Sequence, residues 1–349
     1  MENNNREPFF KAVRREFREL KSFYISDEQA RNLKRRTFIG RFIVTTFYLL
    51  KALYLRLNPI RRVLFLLALF FLFAIQTDYQ SHHVNVSFNL SFWGGVLLMF
   101  LLLLELKDKL LIKDEIRAAR AIQNALIPQK QPQIKGYDIY FYYRPMNEVG
   151  GDLLDHITLG RESHLLALAD VSGKGLSAAL LMSKLHGLVH AFVHDTPFDR
   201  LMSLLNQKFF YSIPKRSFAS MLLLFLKENA PEVRIANAGH LPPFFWHKNN
   251  FTELHSGGMA LGLTEKQDYA TVALTLGEGD ILFCYSDGLS EAFNAQREEF
   301  GEDRIKEILR RLVDKPAETI GKAMLHQAET FLGEKHFCDD LTMIVLKKV

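Results

Sequence analysis

Aspartates stand at the places where this chain turns back on itself. Asp152 follows the glycine pair of EVGGDLLD, Asp170 ends an apolar run before VSGKG, and Asp287 ends another in CYSDGLSEA. Asp339 and Asp340 open the apolar stretch CDDLTMIV. Any one of them alone is an ordinary turn or helix-cap residue. Taken together they ask for more, because carboxylates are rarely buried without a partner and strand ends can converge on one rim of a sheet. An oxygen-only cluster of this kind suits Mg²⁺ or Mn²⁺ better than zinc. It could hold two ions a few ångströms apart and activate a water between them. A phosphate-cradling loop is excluded at VSGKG. The Walker pattern needs GxxxxGK[ST], and here Lys174 is followed by Gly175, with no hydroxyl.

These residues need strands and tight turns to position them. From residue 136 onward the chain reads as short strands over 137–145, 164–170, 218–226, 232–238, 281–287 and 341–348. Helical patterns cover 176–193, 304–312 and about 316–332. Many strands with few interposed helices predict an antiparallel, layered α+β domain and not a doubly wound one. Cys284 and Cys338 make neither a disulfide framework nor a CxxC knuckle, and Cys284 reads as a strand residue. His156, His164 and His186 show no metal-type spacing and read as ordinary.

Upstream lies a different kind of sequence. The whole chain of 349 residues carries a formal charge of +5, but residues 1–62 hold fifteen Lys or Arg against six Asp or Glu, so the remainder is mildly acidic. This argues against nucleic acid as a partner. Residues 1–60 read as a basic N-terminal region, with 38–55 an amphipathic helix for an anionic membrane surface or else a third, poor span. Residues 61–106 contain the apolar runs VLFLLALFFLFAI and FNLSFWGGVLLMFLLLLEL, read as two transmembrane helices in a hairpin, with TDYQSHHVNVS outside. That makes the chain a multi-pass membrane protein with its C-terminal part facing the cytoplasm. From Ile112 apolar residues recur in threes and fours up to Pro128, predicting a helix within 107–130 that could pair with a second copy.

The blocks EVGGDLLD, ADVSGKGLSAALLM, ANAGHLPPFF, YSDGLSEA and CDDLTMIV, in this order and preceded by RAIQNALIP, resemble the SpoIIE-type (RsbU-like) branch of the PPM, or PP2C-like, serine/threonine phosphatases. The resemblance runs from about Glu115 to Val349. It implies a four-layer α-β-β-α sandwich of two antiparallel sheets over 134–349, preceded by a regulatory linker helix, while the membrane hairpin before it matches only in that such domains often follow membrane modules. The resemblance further implies that the membrane is a bacterial inner membrane. It also implies two Mn²⁺ or Mg²⁺ ions held by Asp170, Asp287, Asp339 and the Val171 carbonyl, with Asp152 beside them. Asp340 would support and not ligate. The FYD or YYD that usually follows the GGD is LLD here, a change of packing more than of chemistry. Arg144 is given no phosphate-binding role, and His240 is expected to serve in a structural hydrogen bond ahead of proton donation.

The function so implied is hydrolysis of phosphoserine or phosphothreonine on a signalling protein by a metal-activated water. Its substrate would be an STAS-type anti-anti-sigma protein in a partner-switching circuit, and the enzyme would be a homodimer through the linker helix. The alternative is a catalytically weak, membrane-bound scaffold that signals by binding a partner. Retention of all four aspartates argues against it.

Overall fold

The computed structural model describes residues 57–73, 77–81, 84–88, 90–255 and 258–349, with isolated positions between 44 and 55. The expected surface helix over 38–55 lies, but for those positions, outside the described residues. The chain divides into two compact units, Met1–Ile112 and Lys113–Val349.

In the first unit, α1 (Pro59–Phe73) is followed by β1 (Thr77–Ser81) and β2 (Val84–Phe88), an antiparallel pair running from Thr77 opposite Phe88 to Ser81 opposite Val84. Then α2 (Leu90–Leu126) begins. The two helices approach closely where small residues meet. Ala68 is fully buried, and a Cβ added to Gly94 would lie 2.8 Å from the Ala68 carbonyl oxygen. The Arg61 guanidinium closes the helix ends together by donating to Glu105 at 2.9 Å and Asp108 at 2.6 Å.

This arrangement overturns the membrane reading. Among the described residues no helix is long and apolar enough to cross a membrane. The 15 residues of α1 rise about 22 Å, short of the roughly 30 Å of a hydrocarbon core. In α2 the unbroken apolar run from Val96 to Leu104 gives way to Glu105, Lys107, Asp108 and Lys109. The segment expected as an outer loop contains the β1–β2 pair. The transmembrane hairpin over 61–106 and the multi-pass inner-membrane placement built on it are therefore not supported. The linker helix is also not a separate element. It is the last part of α2, which stops at Leu126 because Pro128 bars Ile127 from helical backbone.

The second unit has the chain order β3 (Tyr137–Arg144), β4 (Leu153–Leu159), β5 (Ser163–Val171), α3 (Leu176–Phe192), α4 (Phe198–Phe210), β6 (Ala219–Lys227) and β7 (Glu232–Ala238). It continues with β8 (Phe244–His247), β9 (Asn250–Glu253), β10 (Thr271–Thr275), β11 (Ile281–Tyr285), the short α5 (Asp287–Ser290), α6 (Gly301–Leu312), α7 (Ala317–Leu332) and β12 (Leu341–Lys348). The strands form two five-stranded sheets, ordered β10-β7-β6-β5-β4 and β3-β12-β11-β8-β9. Every neighbouring pair in them is antiparallel.

The near-continuous apolar composition of the central strands follows from burial on both faces, with side chains alternating between them. In β5, Leu165, Ala167 and Ala169 face a core shared with α3 and α4, while Leu166 and Leu168 face the opposite sheet. In β12, Leu341, Met343 and Val345 pack under α6 and α7, while Ile344 and Leu346 point into the same inter-sheet core. Three apolar layers thus separate helices, sheet, sheet and helices, the four-layer arrangement expected for this part of the chain. Cys284 belongs to the inter-sheet core, and its burial pushes the thiol far above its ordinary range. That thiol is inert packing.

Leu168 is fully buried at the centre of the inter-sheet layer. Leu168→Ala is expected to lower unfolding stability by about 2–5 kcal/mol through the cavity it leaves. Urea unfolding followed by circular dichroism measures this, and a loss below about 1 kcal/mol would contradict the packing described.

Candidate active site

The site is built where one rim of each sheet meets the other. On the first sheet, Asp170 sits opposite Ser220, and Leu153 sits opposite Ala169, so the register brings Asp152, one residue before β4, alongside Asp170. Glycine is required in the loop ahead of it. A Cβ on Gly151 would come 3.0 Å from the Val171 carbonyl oxygen, and one on Gly150 would come 2.5 Å from an Asp340 carboxylate oxygen. On the second sheet, β11 ends at Tyr285 and Asp287 opens α5, while Asp339 and Asp340 lead into β12. Gly288 is needed there for the same reason, since a Cβ would land inside the Asp340 carbonyl oxygen.

Hydrogen bonds sew the rims together. The Thr342 hydroxyl donates to Asp152 Oδ2 at 2.5 Å. Asp340 accepts from the Met146 amide at 2.7 Å, the Gly151 amide at 2.5 Å and the Asp152 amide at 3.4 Å. Ser286 exchanges backbone and side-chain bonds with Thr342, its amide donating to the Thr342 carbonyl and its Oγ accepting from the Thr342 amide, both at 2.9 Å. Asp340 is thus the residue that pins the glycine loop.

The carboxylates repel one another. Burial and then Asp287, Asp339 and Asp340 push Asp170 up to about 7. Burial followed by Asp170 raises Asp152 well above the carboxylate range, against the Thr342 hydrogen bond. Asp287 is raised by burial, Asp339 and Glu291. The cation that opposes this is Lys174, whose Nζ donates to Asp339 Oδ2 at 2.6 Å and to the Cys338 carbonyl at 3.2 Å. A half-buried set of hard oxygen donors with so little positive charge nearby has the composition that a divalent cation demands.

The group whose ligating atoms all lie within 4.8 Å of one another is a different one: Asp155, His186 and His190 form a candidate metal-binding cluster. Among the described residues, Asp170, Asp287 and Asp339 stand as neighbours without closing to that spacing. His186 is therefore not the ordinary residue its sequence setting suggested. The signal was present, since His186 and His190 fall four apart on the predicted helix, on one face. What the spacing could not show was Asp155 arriving from β4. His156 and His164 instead stack on each other, their ring nitrogens 3.1 Å apart.

His240 spans the seam. Its Nδ1 lies 2.8 Å from the Ser220 hydroxyl, and its Nε2 lies 3.2 Å from the Tyr285 carbonyl, which requires Nε2–H as donor and leaves Nδ1 to accept. Burial depresses its pKa to about 4. A neutral, enclosed imidazole is a structural tie. Arg144 donates to Glu329 at 3.0 Å and lies over the Phe337 ring, bonds that hold it on the surface.

Comparison with known proteins agrees with this architecture. Residues 160–349 match the family described as Stage II sporulation protein E (SpoIIE). The chain belongs to the SpoIIE family. It is a PPM-type (PP2C-like) serine/threonine phosphatase. It is 28% identical over 243 residues to the phosphoserine phosphatase RsbU of Bacillus subtilis, covering 68% of this chain and 71% of RsbU. It is 28% identical over 194 residues to the phosphoserine phosphatase RsbP of the same organism, covering 52% of this chain and 47% of RsbP. The SiaA-PP2C domain of Pseudomonas aeruginosa shares the fold, with a TM-score of 0.60, 19% identity, and coverage of 69% of this chain and 98% of that domain.

Two outcomes follow from the seam. Gly288→Ala forces α5 away from Asp340, so activity is expected to fall at least tenfold while circular dichroism stays native; wild-type turnover would contradict the packing. His240 binds a proton more readily unfolded (about 6.5) than folded (about 4). Stability is therefore full above about 6.5 and falls as pH drops toward 4, by up to roughly 3 kcal/mol. Melting curves of wild type and His240→Gln between those pH values should converge at the acid end, and parallel curves would refute the tie.

Proposed function

We propose that this phosphatase removes phosphate from phosphoserine or phosphothreonine on a signalling protein, using Asp170, Asp287, Asp339 and the Val171 carbonyl to hold two Mn²⁺ or Mg²⁺ ions, with Asp152 beside them. The observation that carries the reading is the convergence of these carboxylates from both sheets on one half-buried seam, where the proton affinities of Asp170 and Asp287 are raised and Lys174 is the nearby counter-charge. All-oxygen donors of high charge density fit hard divalent ions and not zinc. Bound there, such ions would offset charge on the phosphoryl oxygens and lower the pKa of a water, giving it the hydroxide character that attack at phosphorus needs.

The protein's own residues do the positioning. Asp340 holds the glycine loop through three amides, Thr342 and Ser286 orient Asp152, and Gly151 lets the Val171 carbonyl approach that loop. Neither Cys284 nor Cys338 stands in a CX₅R setting, which fits direct hydrolysis without a covalent enzyme intermediate. Cys284 is buried in the inter-sheet core.

The substrate reading draws on the relatives. RsbU and RsbP are phosphoserine phosphatases, which supports a phosphoprotein substrate here, with an STAS-type anti-anti-sigma protein the first to try. Control enters through the end of α2. Gln123 is buried, and its side-chain amide donates to the Gly150 carbonyl at 2.6 Å while its Oε1 accepts from the Gly150 amide at 3.0 Å. Arg120 pairs with Glu148 at 2.7 Å on the same loop. A movement of this helix pulls directly on the residues before Asp152. Ile122, exposed on α2, supports pairing with a second copy as the source of such movement.

Hydrolysis of p-nitrophenyl phosphate and of a phosphoserine protein by the full chain is expected with Mn²⁺ or Mg²⁺, to vanish with EDTA, and to fall at least about 100-fold in Asp170→Ala. Turnover that survives either treatment would refute the metal reading. Gln123→Leu leaves two backbone groups of Gly150 unpaired, a cost of about 1–3 kcal/mol each. Its activity is expected to fall about tenfold or more with the melting transition retained, and unchanged kinetics would detach α2 from control.

A further inference from the structure

We propose that Asp155, His186 and His190 form a second metal site, separate from the carboxylate seam and suited to a first-row transition ion of the zinc class. Asp155 lies on β4, in register with Ala167 and three residues beyond Asp152. The two histidines lie on α3 one turn apart, so their rings point the same way, with centroids 4.2 Å apart. Both Nε2 atoms converge on one oxygen, Asp155 Oδ2, His190 at 2.7 Å and His186 at 3.5 Å.

Ligand spacing favours a metal. Tetrahedral zinc with Zn–N and Zn–O bonds of about 2.0–2.1 Å holds its ligands roughly 3.3 Å apart. The three ligating atoms already lie within 4.8 Å of each other, so small side-chain rotations reach that spacing. The carboxylate is fixed from behind, because Asp155 Oδ1 accepts the His156 amide at 2.7 Å, the outer-shell support that ligating carboxylates have. The donor set of two imidazoles and one carboxylate suits zinc, where the all-oxygen seam suits Mg²⁺ or Mn²⁺. Side-chain exposure rises from 5% for Asp155 through 15% for His186 to 42% for His190, leaving one open side for water.

An ion pair alone explains only part of this geometry. One imidazolium beside Asp155 would neutralise it. A second imidazole on the same oxygen is then surplus. A metal uses both rings. It would also fasten β4 to α3, the strand that follows Asp152 and the helix that follows the Asp170 turn.

The test uses the metal-stripped full chain in excess Mg²⁺, titrated with Zn²⁺ by calorimetry and with Co²⁺ as a visible-absorption probe. A single equivalent of Zn²⁺ should bind, Co²⁺ should give the intense d–d bands of a low-coordinate site, and Zn²⁺ should raise Tm. Losing an outer-shell partner costs about 10–100-fold in affinity, so His186→Ala and His190→Ala should each cost at least about 100-fold. Asp170→Asn, which removes a seam ligand, should leave Zn²⁺ binding and the Co²⁺ spectrum intact, so this site and the hydrolytic reading fail separately. No Zn²⁺ uptake by the folded wild type, or uptake that both histidine variants retain, would overturn the proposal and leave an Asp–His ion pair.

Discussion

Like charges brought together out of water repel, and a fold that gathers Asp152, Asp170, Asp287, Asp339 and Asp340 must hold them against that repulsion. The raised proton affinities of Asp152, Asp170 and Asp287 register the strain of the arrangement. Nothing at the seam itself is strong enough to contain it. Lys174 is an exposed side chain bound to one carboxylate, and pairs of that kind contribute little. The containment comes from the layers behind. Strands β5, β6, β11 and β12 are buried on both faces, so their ends cannot slide, and the carboxylates at those ends stay where the register puts them.

The seam is therefore a consequence of pairing two sheets, and the residues that join the sheets are also the residues that position the chemistry. Thr342 belongs to β12 yet bonds Asp152 of the other sheet. Asp340 anchors the loop before β4. His240 reaches from Ser220 on one sheet to the Tyr285 carbonyl on the other. Gln123 adds α2 to this set by taking both backbone groups of Gly150. A phosphatase whose seam carboxylates come from two sheets can be adjusted by anything that shifts one rim relative to the other, and the Gly150 loop is the point where a helix outside the sandwich has a grip.

The sequence made the strands legible where both faces are buried. SHLLALADV, ASMLLLFLK and LTMIVLKK are apolar nearly throughout, and their bounds could be read closely. Strand β4 was not read because LLDHITL carries Asp155 and His156 inside it. The strands β8 and β9 are only 4 residues each, and β10 is largely exposed at a sheet edge, where the apolar pattern is weak. Helix α4 was missed as well, although FDRLMSLLNQKFF buries one clean face against the first sheet. The aspartates could be picked out by their glycine turns. Their neighbours Ser286, Thr342 and Gln123 could not, because their roles depend on which strand lies opposite. The two apolar runs near the N-terminus misled, because local hydrophobicity does not reveal where a helix stops or that a strand pair follows it.

The central claim is that the carboxylate seam, and not the histidine cluster, holds the ions that hydrolysis needs. Calorimetric titration of Mn²⁺ into the metal-stripped full chain, its histidine cluster already filled with Zn²⁺, tests it most directly beside Asp170→Asn and His190→Ala. The account predicts Mn²⁺ binding that Asp170→Asn abolishes together with phosphate release, and that His190→Ala leaves in place. Mn²⁺ binding and turnover that survive Asp170→Asn but disappear in His190→Ala would contradict it.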